Sequence, residues 1–157
     1  MTESNGAGAY WHTLLEEQAA REKFQTEIAF PHNKAAVCDA LAMAGIESVT
    51  VTFEGSSDAG QIEDISAFGS GNAAVPIPGV EVTLKIAGAD GSDAGVKVTR
   101  LRDAIEELAY DHLETAHAGW EIDAGAFGQF IFDVAARSIT FQYNQRYEDS
   151  EFFETTL

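Results

Sequence analysis

Residues 49–64 read Val49-Thr50-Val51-Thr52-Phe53-Glu54-Gly55-Ser56-Ser57-Asp58-Ala59-Gly60-Gln61-Ile62-Glu63-Asp64, and this stretch decides the fold. Val49, Val51 and Phe53 alternate with polar residues, which is the period-two pattern of a half-buried antiparallel strand. The turn of Gly, Ser and Asp over 55–60 then reverses the chain. A second short strand follows, and the three-residue spacing between Ile62 and Ile65 predicts a bulge or an edge position there.

Two helices are expected before this hairpin. The first is predicted from about Ala9 to Ala29 with an imperfect apolar stripe, so part of it is expected to contact a partner rather than the core. The step from Phe30 to Pro31 predicts a break. The second helix is predicted over 34–44, with Asn33 as its N-cap and Gly45 in the left-handed conformation at its end.

The remaining elements follow in the same way. Alternating residues predict strands over 80–86, 129–134 and 139–143, and the longest helix is expected from Thr99, as N-cap, to Ala118. Residues 88–95 are expected to form a plain turn. The predicted fold class is α+β, with an antiparallel sheet of about five strands and helices on one face. Residues 1–7 are expected to be flexible and 8–157 to form a single domain.

The charge of the chain limits its partners. There are 26 Asp and Glu against 9 Lys and Arg in 157 residues, a formal net charge of -17. No basic patch is available to bind phosphates, so direct binding to nucleic acid or to an anionic membrane is not expected. A basic protein surface fits this charge, and adaptation to a salty cytoplasm is the alternative explanation.

The long helix carries the first candidate site. Asp103, Glu107, Asp111 and Glu114 recur at spacings of four, four and three and predict an acidic row on one helix face, with Glu106 alongside. The acidic residues near the C-terminus form a second patch. Our first hypothesis is a non-catalytic protein that uses these carboxylates to occupy a basic, nucleic-acid-binding surface. The partner-binding residues on this hypothesis are Asp103, Glu106, Glu107, Asp111, Glu114, Glu148, Asp149 and Glu151.

The Gly55–Gly60 turn carries the second candidate site. Carboxylates grouped around a Gly-rich turn are typical of oxygen-ligated metal sites and of acid–base pairs, so a small enzyme or metal-binding protein is the alternative. The simpler interpretation is that Asp58 and Gln61 tie the turn down by hydrogen bonds. The residues of this alternative polar site are Glu54, Asp58, Gln61, Glu63, Glu121 and Asp123.

Other functional classes find no support in the motifs. Cys38 is alone, and the four histidines show no metal-binding spacing, so we expect no cofactor, no metal ligand and no catalytic residue. There is no G-x-G-x-x-G and no P-loop. The polar, acidic start, Met1-Thr2-Glu3-Ser4-Asn5, lacks the pattern of a signal peptide, so a cytoplasmic location is expected.

The blocks Phe53–Glu63, Leu101–Glu114 and Gly119-Trp120-Glu121-Ile122 resemble a family of small uncharacterised bacterial proteins that are often encoded on plasmids, phages and other mobile elements. The resemblance covers most of the chain from residue 45 onward, and the G-x-x-D-x-G-Q-I-E block is its most specific part. It implies a genetic context in which acidic proteins often act as counter-defence factors of the anti-CRISPR or anti-restriction type. It implies no established activity, and the oligomeric state stays open.

Overall fold

The structure is a computed structural model that describes residues 2–56, 59–122, 124–147 and 150–157. Among these residues the chain forms three α-helices and seven strands. The helices are α1 (Thr2–Phe24), α2 (Phe30–Met43) and α3 (Leu101–Ala116), and a π-helical turn (Gln25–Ala29) joins α1 to α2. The strands are β1 (Ser48–Ser56), β2 (Ala59–Phe68), β3 (Ala74–Val75), β4 (Glu81–Ala87), β5 (Asp93–Arg100), β6 (Ala126–Asp133) and β7 (Ser138–Gln145).

The strands form two antiparallel sheets. The larger sheet has the order β3-β2-β1-β6-β7, and β4 pairs with β5 in a separate two-stranded sheet. The predicted α+β class is confirmed, with the difference that residues 80–86 contribute to the hairpin rather than to the main sheet. The strand β5 was not predicted. Asp93, Ala94 and Gly95 were expected in a plain turn but belong to β5, and its two alternating valines, Val96 and Val98, are exposed rather than in the core.

The bulge predicted in the second strand is present. Thr52 pairs with Asp64 and Phe53 with Ile62, so Glu63 is the extra residue. The hydroxyl of Tyr110 on α3 accepts a hydrogen bond from the Ile62 N–H at 2.8 Å. A side chain from the helix therefore satisfies a backbone donor next to the irregularity, and links α3 to the edge of the sheet.

The core lies between the helices and the inner face of the main sheet. Val49, Val51 and Phe53 of β1 are buried, as the alternation predicted. Phe53 contacts Phe130 of β6 and Phe141 of β7, with ring centroids 5.7 and 5.9 Å away. The core residues of α3 are Leu101, Ala104, Ile105, Leu108, Ala109 and Leu113.

The predicted break at Phe30–Pro31 is wrong. The Phe30 N–H bonds to the Gln25 carbonyl, five residues earlier, and the chain continues into α2 without leaving the helical region. A proline ring clashes with the carbonyl four residues before it in a regular α-helix, and the wider π-helical turn makes room for Pro31. The described backbone of residues 2–7, for which flexibility was expected, belongs to α1.

Two predicted N-caps are also wrong. Asn33 lies inside α2, where its amide donates to the Lys85 carbonyl at 3.2 Å and accepts from the Lys85 N–H at 2.7 Å. Thr99 belongs to β5, and Arg100 precedes α3 without a side-chain cap. Gly45 does adopt the predicted left-handed conformation, with φ of 74°.

Candidate functional site

The acidic row on α3 is divided by neighbouring elements. Asp103 is exposed near the start of the helix, and Glu107 forms an ion pair with Lys97 of β5. Asp111 is half-buried and accepts a hydrogen bond from the Gln25 side chain at 3.3 Å. Glu114, one turn further on, is exposed. The row is therefore open at both ends, while its middle faces β5 and the π-helical turn.

Asp111 is the carboxyl most changed by its surroundings. Burial raises its pKa to about 6, with a further contribution from the negative charge of Glu107. Lys97 and Arg21 oppose the shift. The carboxyl thus ionises within the physiological range, and its charge is sensitive to any cation that approaches it.

The rest of the predicted partner surface is only partly described. Glu106 is half-buried beside the row, and Glu151 is exposed in the C-terminal segment. The same segment exposes Phe152 and Phe153, at 86% and 83% of their surface. Its two aromatic side chains therefore do not pack on the sheet. Glu148 and Asp149 lie outside the described residues.

The alternative polar site is divided between the two faces of the sheet. Glu54 forms an ion pair with Arg146 at 2.6 Å, and the guanidinium also lies 4.6 Å from the centre of the Phe127 ring. Glu121 is on the opposite face, because its neighbour Trp120 packs against Phe53, and residues 53 and 54 point to opposite sides of a strand. Gln61 and Glu63 are exposed on β2. Asp58 and Asp123 lie outside the described residues.

Sequence reasoning missed the role of Trp120 at this end of the hairpin. Its indole lies over Gly55 and Gly60, so that a Cβ placed on either glycine would come within 2.7 or 2.6 Å of the ring. Glycine at both positions of this strand pair permits the contact. The only signal in the sequence was the presence of two glycines, Gly55 and Gly60, in the hairpin together with a Gly-Trp-Glu block elsewhere in the chain.

Two buried polar atoms near the hairpin end have no hydrogen-bond partner within the part of the chain that the structure describes. They are the indole Nε1 of Trp120 and the carboxylate Oε2 of Glu121.

Together with burial, the charge of Glu121 raises the pKa of Tyr143, whose ring stacks on His117 with centroids 3.7 Å apart. No group of three or more His, Cys, Asp or Glu suited to a metal ion occurs among the described residues.

The fold and the placement of charge define a small α+β protein with an acidic helix face. A model for a family of unknown function, DUF6878, matches residues 29–157, and the chain belongs to that family. The matched region starts at the end of the π-helical turn, so α1 precedes it. No curated protein and no solved structure matches the chain. The helices that the structure describes include none with the length and apolar character needed to cross a membrane.

Proposed function

We propose that this protein is a non-catalytic acidic interaction protein that binds a basic surface of a partner. One observation carries the proposal, namely that the acidic charge is largely uncompensated. Only 9 Lys and Arg accompany 26 Asp and Glu. Four of these cations are held in ion pairs among the described residues, by Asp39, Glu54, Asp93 and Glu107.

The helix α3 is the surface best suited to such a partner. Asp103 and Glu114 are exposed, Glu106 is half-exposed, and none of the three forms an ion pair within the described chain. Carboxylates spaced along a rigid helix can replace phosphates in a groove lined by Lys and Arg. Their long-range field accelerates encounter with a basic partner, and the effect falls with added salt.

The finer form of the proposal is a cytoplasmic counter-defence factor, of the anti-CRISPR or anti-restriction type, that acts as a DNA mimic on a nucleic-acid-binding complex. Its support is the resemblance to proteins of mobile elements together with the acidic surface. The exposed Phe152 and Phe153 and the exposed apolar residues of α1, Trp11 and Leu15, add contact area that a complex of this kind would bury.

The test is affinity capture of the tagged protein from nuclease-treated host lysate. A first variant, called the row variant, neutralises three α3 acids that form no ion pair with the residues the structure describes, namely two members of the acidic row and Glu106 beside it. A matched control neutralises three exposed acids elsewhere. The row variant is Asp103→Asn, Glu106→Gln and Glu114→Gln, and the control is Glu47→Gln, Glu63→Gln and Glu81→Gln. Capture of a nucleic-acid-binding protein by the wild type and the control, with loss in the row variant, supports the proposal. Equal capture by all three contradicts it.

The unpartnered atoms of Trp120 and Glu121 favour a second candidate, a small-ligand or metal site near the Gly55–Gly60 turn. A ligand that supplies both an acceptor and a positive charge would satisfy this buried donor and this buried carboxylate oxygen, which belong to consecutive residues. A screen of melting temperature against divalent metals tests it. A metal-dependent rise that is lost in Glu121→Gln supports the candidate, and the absence of any rise contradicts a metal site.

A further inference from the structure

A cleft runs between α3 and the end of α1 with the π-helical turn. The cleft consists of two adjoining compartments, and Gln25 and Asp111, which share a hydrogen bond, line both of them. The polar compartment, of about 330 Å³, is lined by Arg21, Glu22, Asp111 and Glu114 among others. The apolar compartment, of about 350 Å³, has walls that include Phe30, His112 and Ala116.

We propose that this cleft binds a basic–apolar peptide segment of the partner, with an Arg or Lys side chain against Asp111 and the adjacent apolar side chain beside Phe30. The inference rests on the proposed function and identifies the part of the partner that is recognised. Each compartment is large enough for a single side chain and is at the lower end of the range for ligand pockets.

Charge complementarity selects a basic occupant. Three carboxylates, Glu22, Asp111 and Glu114, line the polar compartment against one cation, Arg21. None of these four side chains takes part in the ion pairs formed among the described residues. A guanidinium that enters beside Asp111 meets a half-buried carboxylate, where a charge-assisted hydrogen bond is stronger than at an exposed position.

The apolar compartment selects the residue next to the cation. Phe30 and His112 are adjacent in its wall, with ring centroids 5.9 Å apart. Burial lowers the pKa of His112, with a smaller contribution from His117, so the ring is neutral at pH 7 and presents no charge to an apolar side chain. An aromatic or branched side chain fits this wall better than a second cation.

The chain's own acidic tail is a poor occupant. Phe152 and Phe153 are exposed and aromatic, but Glu151 and Glu154 flank them. Their charge has the same sign as the polar compartment, so docking of the tail from a second copy is opposed by repulsion. One wall of the cleft, residues 18–26, lies before the region matched to the family, so this recognition is expected to be particular to chains that carry α1.

The probe is a blocked pentapeptide with phenylalanine between two arginines, and its control has citrulline in place of both arginines. Binding to the full chain is followed by NMR shifts of the backbone amides. The first variant neutralises the cleft by Glu22→Gln with Asp111→Asn. Two further variants also change two acids each. The α3 pair, Asp103→Asn with Glu106→Gln, neutralises the open end of α3. The distant pair, Glu47→Gln with Glu81→Gln, neutralises a surface away from the cleft.

The expected result is binding of the arginine peptide, with the largest shifts at Gln25, Thr26, Thr115 and Ala116. The cleft pair should weaken it about tenfold, which is the loss of about 1.4 kcal/mol expected for two partly buried charge contacts. The distant pair should not weaken it more than about twofold, the α3 pair should weaken it less than the cleft pair does, and the citrulline peptide should not bind.

Three outcomes would contradict the proposal that this cleft binds a peptide segment of the partner. The first is weakening by the α3 pair but not by the cleft pair, which leaves the acidic-surface function intact and moves its contact elsewhere. Concentration-dependent shifts of the same amides without peptide would assign the cleft to a second copy. Absence of peptide binding also rejects it, and the proposed function is then judged separately by the capture experiment.

Discussion

The side chain of Asn33 on α2 pairs with the backbone of Lys85 on β4 through both its donor and its acceptor. The amide therefore takes the place of a neighbouring strand at that position of the hairpin. Asn33 is 3% exposed and is the buried polar residue of the described core. Two hydrogen bonds thus attach the β4–β5 hairpin to the helical layer.

Replacement of Asn33 by Ala is expected to destabilise the protein by about 2–3 kcal/mol, because it leaves the partly buried N–H and C=O of Lys85 without these partners and removes a buried side chain. The free energy of unfolding in urea measures the change. Asn144→Ala is the matched control, since Asn144 is exposed and makes one long bond, 3.3 Å, to the Phe127 carbonyl. A loss below about 0.5 kcal/mol for Asn33→Ala would show that water replaces both bonds.

The contact between Trp120 and the hairpin glycines predicts a steric effect. In Gly60→Ala the new Cβ would come within 2.6 Å of the indole, and we expect a loss of about 1–3 kcal/mol by overpacking. Gly79→Ala is the control, because a Cβ there meets no atom within 4 Å. It should be neutral or stabilise by up to about 1 kcal/mol. Thermal unfolding compares the two, and equal stabilities would contradict the packing.

The hydrogen bond from Ile62 to Tyr110 predicts a local effect at the bulge. Tyr110→Phe removes the acceptor of the Ile62 N–H and is expected to cost about 1 kcal/mol. Amide hydrogen exchange at Ile62 should become faster, while exchange at Val51, in the centre of β1, changes only with global stability. Tyr147→Phe, at an exposed tyrosine, serves as the control. Unchanged exchange at Ile62 would mean that the hydroxyl does not protect this amide.

Much of the main sheet could be predicted from the sequence, because β1, β6 and β7 alternate and the inner face is buried. The bulge at Glu63 followed from a failure of that alternation. β5 could not be predicted in this way. Val96 and Val98 point away from the core, and the strand is held by pairing with β4 and by the ion pair of Lys97 with Glu107.

The helical boundaries depended on contacts that are distant in sequence. Asparagine is a residue type that favours the N-cap position, but the hydrogen-bond partner of Asn33 is Lys85, 52 residues away. Pro31 normally interrupts a helix, and only the π-helical turn before it permits continuation. The acidic row was visible as a spacing on α3. Its division by Lys97 and Gln25 was not, because those residues come from other elements.

Asp111 gives the stability of the protein a specific pH dependence. Its pKa is raised to about 6 in the folded chain, from about 3.9 in an unfolded one, so between these values the folded state binds more protons. Stability from this group is therefore greatest below about pH 4 and falls as pH rises through about 6. After allowance for solvent screening, we expect a difference of about 1–2 kcal/mol.

The difference in unfolding free energy between wild type and Asp111→Asn isolates this contribution. The variant should gain about 1 kcal/mol relative to wild type at pH 7.5, and the gain should vanish near pH 4. Asp103→Asn, at an exposed position of the same helix, should show no such trend. A gain that does not vary with pH would mean that Asp111 titrates normally.

Competition with nucleic acid is the decisive measurement for an acidic protein that occupies a basic groove. The captured partner is loaded with a fluorescent oligonucleotide and titrated with the wild-type protein, the row variant and its matched control. We predict that the wild type and the control displace the oligonucleotide and that added salt weakens this displacement. The row variant should be at least about tenfold less potent than the wild type. A stable ternary complex without displacement, or equal potency of the row variant and the wild type, would contradict the proposed function.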